Sequence, residues 1–243
     1  MMNKQSIENM NANRFVEVLK EHKSEADIEK MKRYYKGSDS STLWLGLHMR
    51  TVFQAAKDFM NMSLNEIEKL LESPYYEVRM GAVSIMDFQT KSKKTTNDER
   101  KALFELYIER HDRIDNWDFV DRAAPSVVGN YLKDKSKEIL YELVRSENIW
   151  ERRTAIVSTF AFIKNGDVED TFRIAELLVD DKEELINKSV GTFLREAGKK
   201  DEDRLKQFLD KYATTMPRVT LRYAIEKLDK STKKHYMTLG KSE

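Results

Sequence analysis

The stretch "WDFVDRAAPSVV", residues 117–128, has four counterparts in the chain: "YYEVRMGAVSIM" (75–86), "IWERRTAIVSTF" (149–160), "LINKSVGTFLRE" (185–196) and "RVTLRYAIEKL" (218–228). Aligned on the small or apolar residue at mid-segment, Ala123 coincides with Ala82, Ala155, Val190 and Ala224. The intervals are roughly 30–40 residues, the period at which helical chains stack helix pairs, as in HEAT-like arrays. One such pair cannot bury its apolar face alone, so neighbouring pairs must supply the core.

The rest of the chain agrees. With three prolines and eight glycines in 243 residues, little interrupts a 3.6-residue apolar period. "NRFVEVLKEH" places Phe15, Val18 and Leu19 on one face. "SLNEIEKLLES" opens with Ser63 and has Glu66 three residues later, the pattern of a capping box. We expect an all-α fold, a curved solenoid of antiparallel HEAT-like helix pairs forming a single domain over residues 1–243. One segment differs: in "RYYKGSDSSTLWLGL", residues 33–47, aromatic and β-branched flanks surround a turn cluster. A small β-hairpin is expected there, anchored by Tyr34, Tyr35 and Trp44, with Gly37 supplying a positive φ. An ordinary loop between helices is the alternative.

Composition excludes several classes. The chain has no cysteine, which removes disulfides, thiolate zinc sites and cysteine nucleophiles. The four histidines are scattered, with no paired metal spacing, and there is no P-loop or G-x-G-x-x-G. No metal and no cofactor are expected. The N-terminal "MMNKQSIENM" has no apolar core of a signal peptide, and no apolar run approaches membrane-spanning length. A cytoplasmic, nucleoid-associated monomer without membrane contact is therefore expected. The net charge of +1 does not announce a nucleic-acid binder, so basic residues must be sorted onto one surface if there is one.

The repeat alignment suggests how they are sorted. Two residues before each aligned position stand Met80, Asp121, Arg153, Lys188 and Arg222. Three of five are cations, and stacked repeats should set them in one column suited to a phosphate backbone. A solvated face is the plainer meaning of such charges. Asp121 interrupts the column and is either partnered by Arg153 of the next repeat or exposed for chemistry. Trp117 shares its helix face and serves as core or as platform. Asp115 is placed as an N-cap, Asp118 as a favourable charge in the first turn. Pro125 lacks the N–H that would bond the carbonyl of Asp121 and predicts a local distortion.

At these residues the chain resembles the HEAT-like repeat DNA glycosylases, the AlkC/AlkD superfamily of DNA alkylation repair. "NWDFVDRAAP" is similar to that family's W-D-x-V-D-x-x-x-P helix. "SENIWERRTAIV" resembles its N-I-W-x-x-R-x-A-I segment, "VGTFLREAGK" its G-W-x-L-R-E-x-x-K segment, and "LWLGL" its F-L-G-I segment. The resemblance runs in order from about residue 30 to 228. It implies a partner, duplex DNA carrying N3- or N7-alkylated purines, and a chemistry, base excision. It implies that Asp121 is the catalytic acid, Trp117 an aromatic of the cleft and Arg153 the phosphate-holding arginine; Lys188 and Arg222 are DNA-binding candidates from the repeat column alone. A fixed anion next to a sugar that gains positive charge acts by preorganised electrostatics. The chain departs from the pattern in two places. Thr192 stands where the family has a second cleft tryptophan, and the segment between Tyr35 and Gly46 is longer than in the glycosylases. Both features resemble the AlkF/AlkG-like branch, associated with branched DNA. The expected function is therefore a DNA-binding protein for branched or distorted DNA with little or no base excision. The alternatives are an active alkylpurine DNA glycosylase using Asp121, and a protein-interaction scaffold.

Overall fold

The computed structural model describes residues 10–37 and 39–239, whose regular elements are helices joined by turns and loops, with no strand among them. They form a helical-repeat fold divided into two compact units that meet in sequence at Tyr131 and Leu132. The first contains α1 (Ala12–Lys20), a 3-10 turn (Glu25–Asp27), α2 (Ile28–Lys32), α3 (Met49–Asp58), α4 (Leu64–Leu71), α5 (Tyr76–Lys91), α6 (Asn97–Glu109) and α7 (Trp117–Ala124). Helices α3, α5 and α7 pack in one row, with α4 and α6 in a second. The second unit contains α8 (Glu138–Leu143), α9 (Ile149–Ser158), α10 (Phe160–Lys164), α11 (Glu169–Leu177), α12 (Glu184–Gly198), α13 (Glu202–Tyr212), α14 (Arg218–Ala224) and α15 (Lys230–Thr238). There α9, α12 and α14 form the first row, and α8, α11 and α13 the second.

The repeat motif accounts for the first rows. Its five copies lie on α5, α7, α9, α12 and α14. The residues used for alignment, Ala82, Ala123, Ala155, Val190 and Ala224, are at most 1 % exposed. Small side chains at these positions let successive helices of a row approach closely, and the larger apolar residues around them fill the remaining space.

The 33–47 segment is not a hairpin. A hairpin would need its two arms to exchange backbone hydrogen bonds, and the second arm spends its groups elsewhere. Leu43 N–H donates to Pro74 O at 2.8 Å, and Tyr76 N–H donates to Leu43 O at 2.9 Å, a single parallel bridge between Leu43 and Tyr75. Leu45 O accepts from Ser24 N–H. The aromatic residues pack onto α5 rather than across a turn. Trp44 stacks on Tyr76 at 4.3 Å, and Tyr35 meets both rings edge-on. Gly37 does not take a positive φ; among the described glycines Gly46 and Gly166 do. Glycine is needed at 37 for closeness, since a Cβ there would lie 2.6 Å from the carbonyl oxygen of Asp115. At Gly46 both reasons apply: φ is 76°, and a Cβ would lie 2.0 Å from Ser24 O.

Two charged residues of α5 hold this segment down. Glu77, fully buried, accepts the N–H groups of Leu45, Gly46 and Leu47 at 3.0, 2.8 and 3.1 Å. Arg79, also fully buried, donates to Thr42 Oγ1 at 3.0 Å and lies 3.5 Å from Asp115 Oδ2. Asp115 is thus an ion-pair partner and not the N-cap of α7; Asn116 takes that place. Glu66 likewise departs from the capping box. It reaches back to accept the N–H of Ala12 at 2.7 Å, while a complete box forms at Thr96 and Glu99.

The Glu77 carboxylate predicts its own mutant. Glu77→Gln turns an amide N–H toward three N–H donors that cannot reach water, and should cost about 2–4 kcal/mol. Urea unfolding of the two proteins checks it, and an unchanged midpoint contradicts the assigned role.

Candidate functional site

Helix α7 starts where the backbone of Asn116 is still extended, with φ −145° and ψ 153°. The Asn116 side chain does not cap the helix. Its oxygen accepts from Lys36 N–H at 2.8 Å and its amide donates to Asp118 Oδ1 at 2.6 Å, tying the helix start to the 33–47 segment. From this start, Trp117 and Asp121 fall on one face, a turn apart. Beyond Ala124 the missing N–H of Pro125 does not break the helix. It widens into a π-helical turn over Pro125–Gly129, closed by Asn130 N–H on Pro125 O.

Trp117 and Asp121 line one cleft of about 520 Å³, together with Asp118, Tyr34, Tyr76 and Arg122. Trp117 is half-buried, and its indole N–H donates to Tyr34 O at 2.8 Å. Tyr34 itself is 57 % exposed. Asp121 is exposed. Arg122 is fixed: its guanidinium lies 4.6 Å from the Phe53 ring centre and 4.8 Å from that of Phe88, its Nε donates to Ser84 Oγ at 3.1 Å, and it pairs with the buried Asp87 at 3.1 Å. An Arg held between two rings and a carboxylate is a rigid wall of the cleft.

Asp118 turns out to be more than a first-turn charge. Tyr76, packed between Trp44 and Phe119, donates its hydroxyl to Asp118 Oδ2. Burial pushes the Asp118 carboxyl up to about 6, against the hydrogen bonds from Tyr76 and Asn116 that favour its ionised form. Burial likewise raises the Tyr76 hydroxyl, with Asp118 beside it adding to the shift.

The structure brings together some of the residues expected from sequence. Trp117, Asp121 and Tyr34 share the cleft. Tyr35, Gly37 and Trp44 do not; they sit behind it as packing for α5. In the second unit Arg153, Lys188 and Arg222 fall on the first-row helices α9, α12 and α14, but their surroundings differ. Arg153 is 7 % exposed and donates to Leu185 O at 2.7 Å. Lys188 pairs with Glu184 at 2.5 Å, and Arg222 is exposed. Thr192 is half-buried on α12. Reading the sequence missed Tyr76, Arg122 and Asp87 and gave Asp118 only a first-turn role. Their partners lie about one repeat away, 42 residues for Tyr76 with Asp118 and 38 for Arg122 with Ser84. A search for complementary polar residues at the repeat interval would have found them.

Asp118 gives the fold a pH dependence. Its folded pKa lies above its unfolded one, so the folded state holds the proton more tightly. The resulting stability is fully present below the ordinary carboxylate range and is lost as pH rises through about 6. Asp118→Asn should therefore be more stable than the parent at pH 8, by about 2 kcal/mol, and nearly equal to it at pH 4. Thermal unfolding at the two pH values checks this; a variant less stable at pH 8 contradicts it.

Comparison with known proteins fits this architecture. Among solved structures, a "predicted DNA alkylation repair enzyme from Enterococcus faecalis" superposes with a TM-score of 0.68 at 16 % identity, covering 86 % of this chain and 97 % of that one. AlkD2 from Streptococcus mutans superposes with a TM-score of 0.55 at 22 % identity, covering 83 % of this chain and 98 % of the other. At such identities the likeness concerns the fold. No curated protein matches the sequence. A family model described as DNA alkylation repair enzyme matches residues 15–228, nearly the whole chain, and the protein belongs to that family.

Proposed function

We propose that the protein binds duplex DNA and excises purines carrying a positive charge from N3- or N7-alkylation, with Asp121 as the catalytic carboxylate. The observation behind this reading is the cleft beside α7, where Asp121 and Trp117 stand a turn apart on one wall and Tyr34 adds a second aromatic surface. A cationic base weakens its own glycosidic bond. The bond from C1′ to the base nitrogen breaks, and its electron pair leaves with the base, which becomes neutral. The sugar is left as an oxocarbenium ion. Asp121 stabilises that charge more than it stabilises the intact nucleotide, which is what lowers a barrier. Water then adds to C1′ and gives up a proton.

The proposal takes residues 1–243 as one DNA-binding domain, with Lys188 and Arg222 as candidate phosphate contacts on the second unit. Arg153 contributes through the Leu185 carbonyl it holds. A preference for branched DNA is not part of the reading: it drew on Thr192 and on the longer segment between Tyr35 and Gly46, and that segment packs onto α5 without forming a hairpin. A second reading, binding without base release, is favoured by Thr192, whose side chain offers no flat face to a sugar at the position of the resembling family's tryptophan.

A duplex carrying a single N7-methylguanine separates the two. We expect the protein to release free 7-methylguanine, and Asp121→Asn to slow release at least about 100-fold, the loss of roughly 2.7 kcal/mol of transition-state stabilisation. Tight binding of the duplex with no free base in either protein would establish the second reading.

A further inference from the structure

One dipeptide of the second unit carries a chemistry of its own. The chain has a single Asn-Gly pair, Asn165–Gly166, in the turn that follows α10. Asparagine is chemically labile, and most so before glycine, where no Cβ shields the side-chain carbonyl from the next backbone nitrogen. Both residues are exposed, and a Cβ on Gly166 would meet nothing within 4 Å. The turn therefore has room for a ring to close and for water to open it.

The folded turn opposes that reaction. Gly166 has φ 84° and closes α10 as a left-handed cap. Its N–H donates to Ile163 O at 3.0 Å, and the N–H of Asp167 donates to Phe162 O at 3.1 Å, the paired bonds of a Schellman motif. The Asn165 side chain joins them, its Nδ2 donating to Ala161 O at 2.7 Å. Closing a flat five-membered ring needs the Gly166 nitrogen on the side-chain side of the Asn165 Cα–C bond. At ψ 5° that nitrogen lies against the backbone nitrogen of Asn165 instead. Nucleophile and electrophile are both held, so the reaction waits for the turn to open. Residues 164–167 are exposed at the end of a five-residue helix, a place where opening costs far less than global unfolding.

We propose that Asn165 is a site of spontaneous covalent modification, guarded by the cap of α10. When the turn opens, the Gly166 nitrogen gives up its proton and attacks Cγ of Asn165. The new N–Cγ bond closes a succinimide, the Cγ–Nδ2 bond breaks, and the departing amide takes up a proton and leaves as ammonia. Water then opens the ring at either carbonyl. One product is aspartate; the other is isoaspartate, in which the main chain runs through the side-chain carbons. Neither lets the turn close as before. Aspartate has no donor for Ala161 O and sets a carboxylate at the negative end of the helix, two residues from Asp167. Isoaspartate lengthens the main chain by one carbon just before Gly166, so the two bonds of the Schellman motif lose their register. The contact beyond the turn is weakened with it: Lys137, ahead of α8, pairs with Asp167 at 3.3 Å and with Asp170 at 3.0 Å.

The test incubates the full chain at pH 8 beside a peptide of residues 161–170, which serves as the permanently open turn. Digestion and mass spectrometry follow the amide-to-acid change at each asparagine, and an isoaspartate-specific methyltransferase counts the rearranged product. We expect Asn165 to convert ahead of every other asparagine of the chain, giving both products. Conversion in the full chain should be roughly 10- to 100-fold slower than in the peptide, which corresponds to an opening free energy of about 1.4–2.7 kcal/mol. Asn165→Asp reproduces one product, and hydrogen exchange at the amides of Gly166 and Asp167 should rise roughly tenfold in it, with exchange in α12 unchanged. An Asn165 that stays intact while other asparagines convert would overturn the site. Equal rates in chain and peptide overturn the guarding role of the cap. Aspartate formed without isoaspartate marks direct hydrolysis and overturns the cyclic route, and unaltered exchange in Asn165→Asp overturns the effect on the turn.

Discussion

A buried carboxylate receiving three consecutive backbone N–H groups is the constraint on which the first unit depends. Glu77 sits on α5 between α3 and α7, and through Leu45, Gly46 and Leu47 it fixes where the chain enters α3. Those N–H groups are buried with it and have no water to fall back on. Once the 45–47 backbone is held, Trp44 is set against Tyr76, Tyr76 against Phe119, and Tyr76 in turn reaches Asp118. The floor of the cleft is therefore positioned from a residue that does not line it.

The same helix shows how polar residues organise a repeat fold. Glu77, Arg79 and Asp87 are buried along α5, and each is engaged by a different stretch of chain: 45–47, then Thr42 and Asp115, then Arg122 and Ser126. Apolar packing alone would tolerate sliding of one helix along the next, because small and large aliphatic residues recur at similar intervals. Buried charges with fixed partners do not tolerate it. They set the register between neighbouring helices, at an energetic cost that well-made hydrogen bonds offset.

This explains what could be read from the sequence and what could not. The repeat was legible because its signature is local: Ala82, Ala123, Ala155, Val190 and Ala224 recur where helices touch, and each is buried. Trp117 and Asp121 were legible because four residues along a helix is a fixed geometry. The 33–47 segment was misread because its flanks satisfy a local rule for hairpins while its hydrogen-bond partners, Pro74, Tyr76, Glu77 and Ser24, lie outside any local window. The shared register of Arg153, Lys188 and Arg222 gave their helices correctly but not their surroundings. Register assigns a side chain to a helix face; whether it meets a carbonyl, a glutamate or solvent is decided by neighbours such as Leu185 and Glu184. Asp118 was undervalued for the same reason, since its partner Tyr76 belongs to the preceding repeat.

The bond from the Trp117 indole to the Tyr34 carbonyl has an optical consequence. The chain has three tryptophans. Trp44 and Trp150 are buried, whereas Trp117 is half-buried against the cleft with its N–H in a single hydrogen bond to the 33–47 segment. Indole emission responds to the polarity around the ring and to the group its N–H meets, so the two buried tryptophans supply a nearly constant background while the third registers whatever enters the cleft or displaces Tyr34. Collisional quenchers dissolved in the solvent reach that ring ahead of the others. The protein thus carries, unlabelled, a fluorophore at the wall of its candidate site, and occupancy of the cleft is legible in its own emission.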